Sequence, residues 1–115
     1  MRGLKTMILA GVLAGCASTA SAASFDCAKA RSADEHAICS DRSLNDRDVE
    51  LATRYAMVLQ LTAMGVRGDL QDEQRTWLRQ RRACAAERAC IARLYDQRLT
   101  RIKGVFAGIA SRGPF

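Results

Sequence analysis

The sequence is poor in whatever builds sheets or interrupts helices. Of 115 residues only Pro114 is proline, so no ring breaks a helix before the end of the chain. Aromatics are 5% of the chain, with one tryptophan, Trp77, and β-branched residues are few, which leaves little to pack on a pleated surface. No apolar run reaches the ~20 residues that cross a bilayer. There is one histidine, His36, with no serine or free cysteine placed to pair with it, so no nucleophile–base–acid triad can be assembled. The carboxylates fall on caps and outward positions rather than in facing pairs. Gly65-Val66-Arg67-Gly68 reads as a helix connector and not as a phosphate-binding loop. On these grounds a non-catalytic protein is expected, with no cofactor.

What is abundant is alanine, leucine, arginine and glutamine, all good helix formers. The expected fold is all-α, a small bundle of three to four helices. Residues 1–23 read as an export signal: Arg2 and Lys5 give a basic start, residues 6–15 an apolar run, and Ala20-Ser21-Ala22 a small-residue cleavage site for a cut after Ala22 or Ala23. Leu13-Ala14-Gly15-Cys16 also has the form of a bacterial lipobox, in which Cys16 becomes the lipidated first residue and the signal is residues 1–15. Both readings send the chain out of the cytoplasm, to the periplasm or beyond, and the second anchors it to the envelope. Residues 24–103 form the expected domain, and residues 104–115, with their Gly and Pro, a flexible C-terminal tail whose Val105, Phe106 and Ile109 can cover a core edge.

Charge divides the domain. Residues 24–64 hold five Lys/Arg and seven Asp/Glu, a net −2, and residues 65–115 hold eleven and five, a net +6. A basic exported half suits anionic lipid head groups or envelope polymers. Nucleic acid is a poor partner for a protein that leaves the cytoplasm. The plain alternative is a solvated, arginine-rich helix face.

Helix signals follow in order. Ser32-Ala33-Asp34-Glu35 fits a capping box opening a short helix to about Cys39. Leu44, Asp48, Leu51, Tyr55, Val58 and Thr62 recur at spacings of four and three, one stripe of a second helix. Gly65 suits the left-handed residue that closes it, and Asp69 the cap of a third helix with the stripe Leu70, Gln74, Trp77, Arg81 and Cys84. The same phase continues through Arg88, Ile91, Tyr95, Arg98 and Ile102. One unbroken helix over that span would be ~50 Å long, too long for a domain of this size to bury, so a turn is expected between Cys84 and Cys90.

Cysteines beyond Cys16 number four: Cys27, Cys39, Cys84 and Cys90. They allow three pairings. On a continuous helix Cys84 and Cys90 would stand ~9 Å apart along the axis, beyond bridging reach, so a bond between them needs the turn already inferred from length. Cys27–Cys39 needs a reversal, which Arg31-Ser32 can supply. Local pairs are therefore expected, closing loops worth ~3 and ~2 kcal/mol. A zinc site with His36 joining the thiols is the weaker alternative, because no CxxC pair exists and the compartment oxidises thiols.

Charged Asp48, Arg81 and Arg98 fall on stripes that otherwise read Leu, Tyr, Trp and Ile. Such residues are seldom buried without partners. The expectation is an internal polar network completed by Tyr55 or Tyr95, acting as a register device or lining a polar ligand cavity. Trp77 is the expected centre of the core.

Ser24-Phe25-Asp26-Cys27-Ala28-Lys29-Ala30 and Glu35-His36-Ala37-Ile38-Cys39-Ser40-Asp41 resemble the opening of the lysozyme inhibitor LprI-like N-terminal domain family. Gln74, Trp77, Leu78, Arg81 and Cys84 match that family's Gln-x-x-Trp-Leu-x-x-Arg-x-x-Cys signature, and Cys90, Tyr95, Arg98 and Ile102 its closing helix. The short Gly65–Gly68 connector departs from a proline-containing one, and no second domain is expected. The resemblance implies a small exported binding protein, with a lysozyme-type protein as partner. Toward a partner that is itself basic, the acidic stretch of residues 26–50 offers the complementary surface.

Overall fold

Main-chain hydrogen bonding organises this protein almost wholly within helices. The computed structural model describes residues 23–113; the expected export signal up to Ala22, with Cys16, and Pro114 lie outside them. Among the described residues are a 3-10 turn at Cys27–Lys29 and four helices: α1 (Ala33–Ser40), α2 (Arg42–Leu61), α3 (Met64–Ala83) and α4 (Arg88–Ala110), with no strand. The all-α bundle expected from composition is what forms, and none of these helices is long and apolar enough to cross a membrane.

Each start has a local cause. Glu35 reaches back from the first turn of α1 and accepts from the Arg31 and Ser32 amides, the acid side of the capping box. Asp41 then caps α2, its Oδ1 accepting from the Leu44 amide at 3.1 Å. The α1–α2 corner is closed from inside, where Asn45 donates to the Ile38 carbonyl.

At the next corner the structure corrects the reading of the sequence. Gly65 does not close α2 and Asp69 does not open α3. The chain turns at Thr62 and Ala63, both extended, and Gly65 and Gly68 lie inside α3. Two helical glycines cost ~1 kcal/mol each against alanine. The offset is Arg67, whose guanidinium donates to the Leu59 carbonyl, one of the acceptors that the end of α2 leaves open. The left-handed residue is instead Ala85 (φ 52°), after α3 and inside the expected Cys84–Cys90 turn. A side chain there is disfavoured, so Ala85→Gly should stabilise the protein by about 0.5–1 kcal/mol. Urea unfolding midpoints of the two proteins check this.

Both disulfides are the local ones, Cys27–Cys39 and Cys84–Cys90. The first ties the 3-10 turn to the end of α1, and the second staples α3 to α4.

The core is a single cluster in which Ile38, Leu44, Leu51, Val58, Leu70, Trp77, Ile91, Tyr95, Leu99 and Ile102 are buried. On α2, α3 and α4 these are the stripe positions, joined by Leu99 and by Ile38 of α1. The helix that was expected to end near residue 103 instead runs to Ala110 and buries Ile109, so residues 104–110 are helical rather than a fraying tail. The reason is periodicity: Ile102, Val105 and Ile109 continue the inward stripe at spacings of three and four, and two glycines in so long a helix do not outweigh it.

Candidate functional site

The polar residues of the inward stripes do not form one network. They form two. At the first, Arg81 of α3 reaches across the core to α1, its Nε donating to Asp34 Oδ2 at 2.8 Å. Its Nη1 donates to the Tyr95 hydroxyl at 3.1 Å, and that hydroxyl donates to Asp48 Oδ1 at 2.8 Å. Asp48 Oδ1 lies 4.0 Å from the guanidinium, so the phenol couples the two charges. The other Asp48 oxygen accepts from the Ser24 main-chain nitrogen at 2.6 Å. Residues from α1, α2 and α4 thus meet at one guanidinium of α3, and the first described segment joins through Asp48.

This cluster is nearly dry. Asp34 is 1% exposed and Asp48, Arg81 and Tyr95 are buried. Burial works to raise the Asp34 carboxyl, but the neighbouring Ser32 hydroxyl and the Arg81 guanidinium together hold it below its ordinary range. Burial pushes the Tyr95 phenol far up, so it is neutral throughout the physiological range. The second oxygen of Asp34, Oδ1, has no hydrogen-bond partner. Trp77 covers the cluster: its ring meets Tyr95 edge to face at 4.9 Å and lies 5.5 Å from the Arg81 guanidinium. Its Nε1 donates to the Leu94 carbonyl at 2.9 Å.

The second network belongs to Arg98. Its guanidinium donates to Gln74 Oε1 at 2.9 Å, to Glu73 Oε2 at 2.7 Å and to the Leu70 carbonyl at 3.1 Å, with the Tyr55 ring 6.0 Å away. Arg101 shares Glu73, and its hydrogen bond, aided by Arg98 and opposed by burial, lowers the Glu73 carboxyl. Arg98 therefore ties α3 to α4 and makes no contact with Asp48 or Arg81. The expected single network is two separate sets of hydrogen bonds, and Tyr95, not Tyr55, bridges the charges.

Asp34 is the member that sequence reasoning missed. It sits in the first turn of a capped helix, where an acid normally faces water beside the helix dipole, and its partner is 47 residues away. The one available signal was that α1 also carries Ala37 and Ile38, three and four residues on, on the same face.

The Arg81 cluster is buried and the Arg98 network reaches the surface at Glu73; the outer surface is where a partner can reach. A shallow open groove of about 570 Å³ runs between α3 and α4, bordered by Asp69, Asp72, Glu73, Thr76, Trp77, Gln80, Gln97, Arg98 and Arg101. The outer side of α3 presents Arg75, Leu78, Arg79 and Arg82, all exposed. They lie within two turns of one helix, ~10 Å end to end. Arg75 pairs with Asp72 on the same helix, and Arg79 donates to Thr76 Oγ1, but Arg79 and Arg82 carry no salt bridge. On α4, exposed Arg93 is likewise without an acidic partner. By contrast, Asp41, Glu50 and Asp96 are engaged by Arg88, by Arg54 with Lys103, and by Arg47. Unneutralised charge on the α3–α4 side is thus Arg79, Arg82 and Arg93, against the exposed acids Asp69 and Glu87. His36 is exposed on α1, and no cluster of His, Cys, Asp and Glu able to hold a metal ion occurs among the described residues.

No curated protein and no solved structure matches this chain. A family match does exist, over residues 27–106, which takes in both disulfides, the side chains of both polar networks and Trp77. With that span of the chain matched, the protein belongs to the family described as Lysozyme inhibitor LprI.

Proposed function

We propose that this is an exported, non-catalytic binding protein that blocks a lysozyme-type enzyme with the outer face of α3. The family supports inhibition, and the two disulfides suit a compartment that oxidises thiols. The observation that carries the surface is the exposed row Arg75, Leu78, Arg79 and Arg82, in which two arginines lack an acidic partner. Glycosidases of this kind work with a pair of carboxylates flanking the scissile bond in an open cleft. A guanidinium presented on a rigid helix pairs with such carboxylates and excludes substrate, while Leu78 supplies apolar contact beside it. Long-range repulsion from a basic enzyme slows encounter but does not act against this short-range pairing, since exposed charges are screened beyond ~8 Å at physiological salt.

The test is lysozyme turnover on cell-wall substrate with and without the purified protein, at low and at physiological salt. Dose-dependent inhibition is expected, and R79E/R82E should weaken it by about tenfold or more while leaving the fold intact, because both side chains are exposed. Undiminished inhibition by that variant would move the contact elsewhere, first to the acidic stretch of residues 26–50.

The basic α3–α4 side also supports a second reading, an envelope accessory protein that contacts anionic polymers or lipid, free or anchored through Cys16. Salt-sensitive sedimentation with envelope material, together with no effect on lysozyme, favours that reading.

A further inference from the structure

The buried cluster around Arg81 is one positive charge short. Asp34 and Asp48 bring two negative charges, Arg81 one positive, and the Tyr95 phenol is neutral. The nearest other charged groups on the packed helices are committed elsewhere: Arg98 of α4 to Glu73, and Glu35 of α1 to the Arg31 and Ser32 amides. A buried net charge is costly unless something cancels it.

One atom is placed to do so. The Ser24 nitrogen lies 2.6 Å from Asp48 Oδ2, shorter than an ordinary main-chain hydrogen bond and nearer the length of charge-assisted ones. Within an unprocessed chain that nitrogen is a neutral amide. Ser21 and Ala23 are both small, as a signal peptidase needs at the third and first positions before its cut.

We propose that export processing cuts the Ala23–Ser24 bond and that the α-ammonium so created pairs with Asp48, completing the internal network. In the step, water adds across the peptide bond under a signal peptidase: hydroxyl goes to the Ala23 carbonyl carbon and hydrogen to the Ser24 nitrogen. That amine then takes a further proton from solvent at neutral pH. The cluster becomes neutral, with Asp34 and Asp48 balanced by Arg81 and Ser24. Removal of the signal is thereby coupled to stability of the folded domain, and the chain reaches full stability only once exported. Lipidation at Cys16 would leave the Ser24 nitrogen an amide, so the inference also selects between the two signal readings.

The test starts from the full chain expressed with its own signal and the processed product recovered from the envelope. Its mass should correspond to a start at Ser24; a start at Ala23 or at a lipidated Cys16 overturns the proposal. The product is then unfolded in urea from pH 6 to pH 10, before and after acetylation of its α-amine in denaturant. An α-amino group ordinarily titrates near 7.7–8.0, and pairing with Asp48 raises this in the folded state. Its stabilisation is therefore full below the unfolded value and lost as pH rises through the folded one. Below pH 7.5 the free amine should raise the folding equilibrium constant by roughly tenfold or more over the acetylated form, the two converging toward pH 10. Asp48→Asn, made in the full chain, should abolish the difference. Equal stability of free and acetylated forms across the range overturns the pairing even where the cut is at Ser24.

Discussion

Replacing Arg81 by methionine should cost ~3–5 kcal/mol, enough to bring a domain of this size close to its unfolding midpoint. The methionine side chain fills much of the same volume, so the loss is electrostatic rather than a cavity. Asp34 would be left in a dry site without its positive neighbour, and Asp48 would lose the guanidinium 4.0 Å away. The pH dependence should change sign with it. In the native protein the Asp34 carboxyl is held below its ordinary value, so its contribution is present above the unfolded pKa of ~3.9 and lost as pH falls through the folded one. Without Arg81, burial dominates and raises the carboxyl. The variant should then gain stability on acidification from pH 7 to pH 4, where the native protein does not. Removing charge from both sides, as in D34L/R81M, should recover most of the loss, since an apolar replacement of a buried pair is often close to neutral. Urea unfolding of the three proteins at pH 4 and pH 7 checks all of this. Equal midpoints for R81M and D34L/R81M would mean that the two residues do not interact.

Trp77→Ala should cost a similar ~3–5 kcal/mol by a different route. The indole is 5% exposed, and its loss opens a cavity against Tyr95 and removes the face over Arg81. Trp77→Phe keeps most of that packing and forfeits only the Nε1 bond to the Leu94 carbonyl, about 1 kcal/mol. Because Trp77 is the chain's one tryptophan, its native emission should be blue-shifted and resist iodide, moving red only on unfolding. Emission like that of free tryptophan, readily quenched, would put the ring at the surface and make it a candidate contact residue. The two substitutions test separate things: the first asks whether the central charges are coupled, the second whether the cover over them holds the helices together.

Much of this was legible because a helix writes its buried face into the sequence at fixed spacing. Leu44, Asp48, Leu51 and Val58 are buried on α2, Leu70, Trp77, Arg81 and Cys84 at α3 and its end, and Ile91, Tyr95, Arg98 and Ile102 on α4. The turn between Cys84 and Cys90 followed from length alone, and with it the local disulfides, since a seven-residue loop can be bridged only if the helix stops. The start of α3 was misplaced because glycine and aspartate are local signals. The competing interaction, Arg67 on the Leu59 carbonyl, exists only once α2 and α3 are folded back on each other.

Sequence by itself determined which residues turn inward, where the chain reverses near the cysteines, and that three of the inward residues are charged. Only the tertiary structure decided how those charges are matched. Periodicity assigns a residue to a face but carries no information about what stands opposite, and the partners here are 47 residues apart for Arg81 with Asp34 and 25 for Arg98 with Glu73. Tyr95 and Tyr55 are both inward on neighbouring helices, and the choice between them rested on which hydroxyl the packed helices bring within 3 Å of Asp48. The cost of leaving a buried charge unpaired then favours this arrangement, in which Arg81 and Arg98 each meet an acid from another helix.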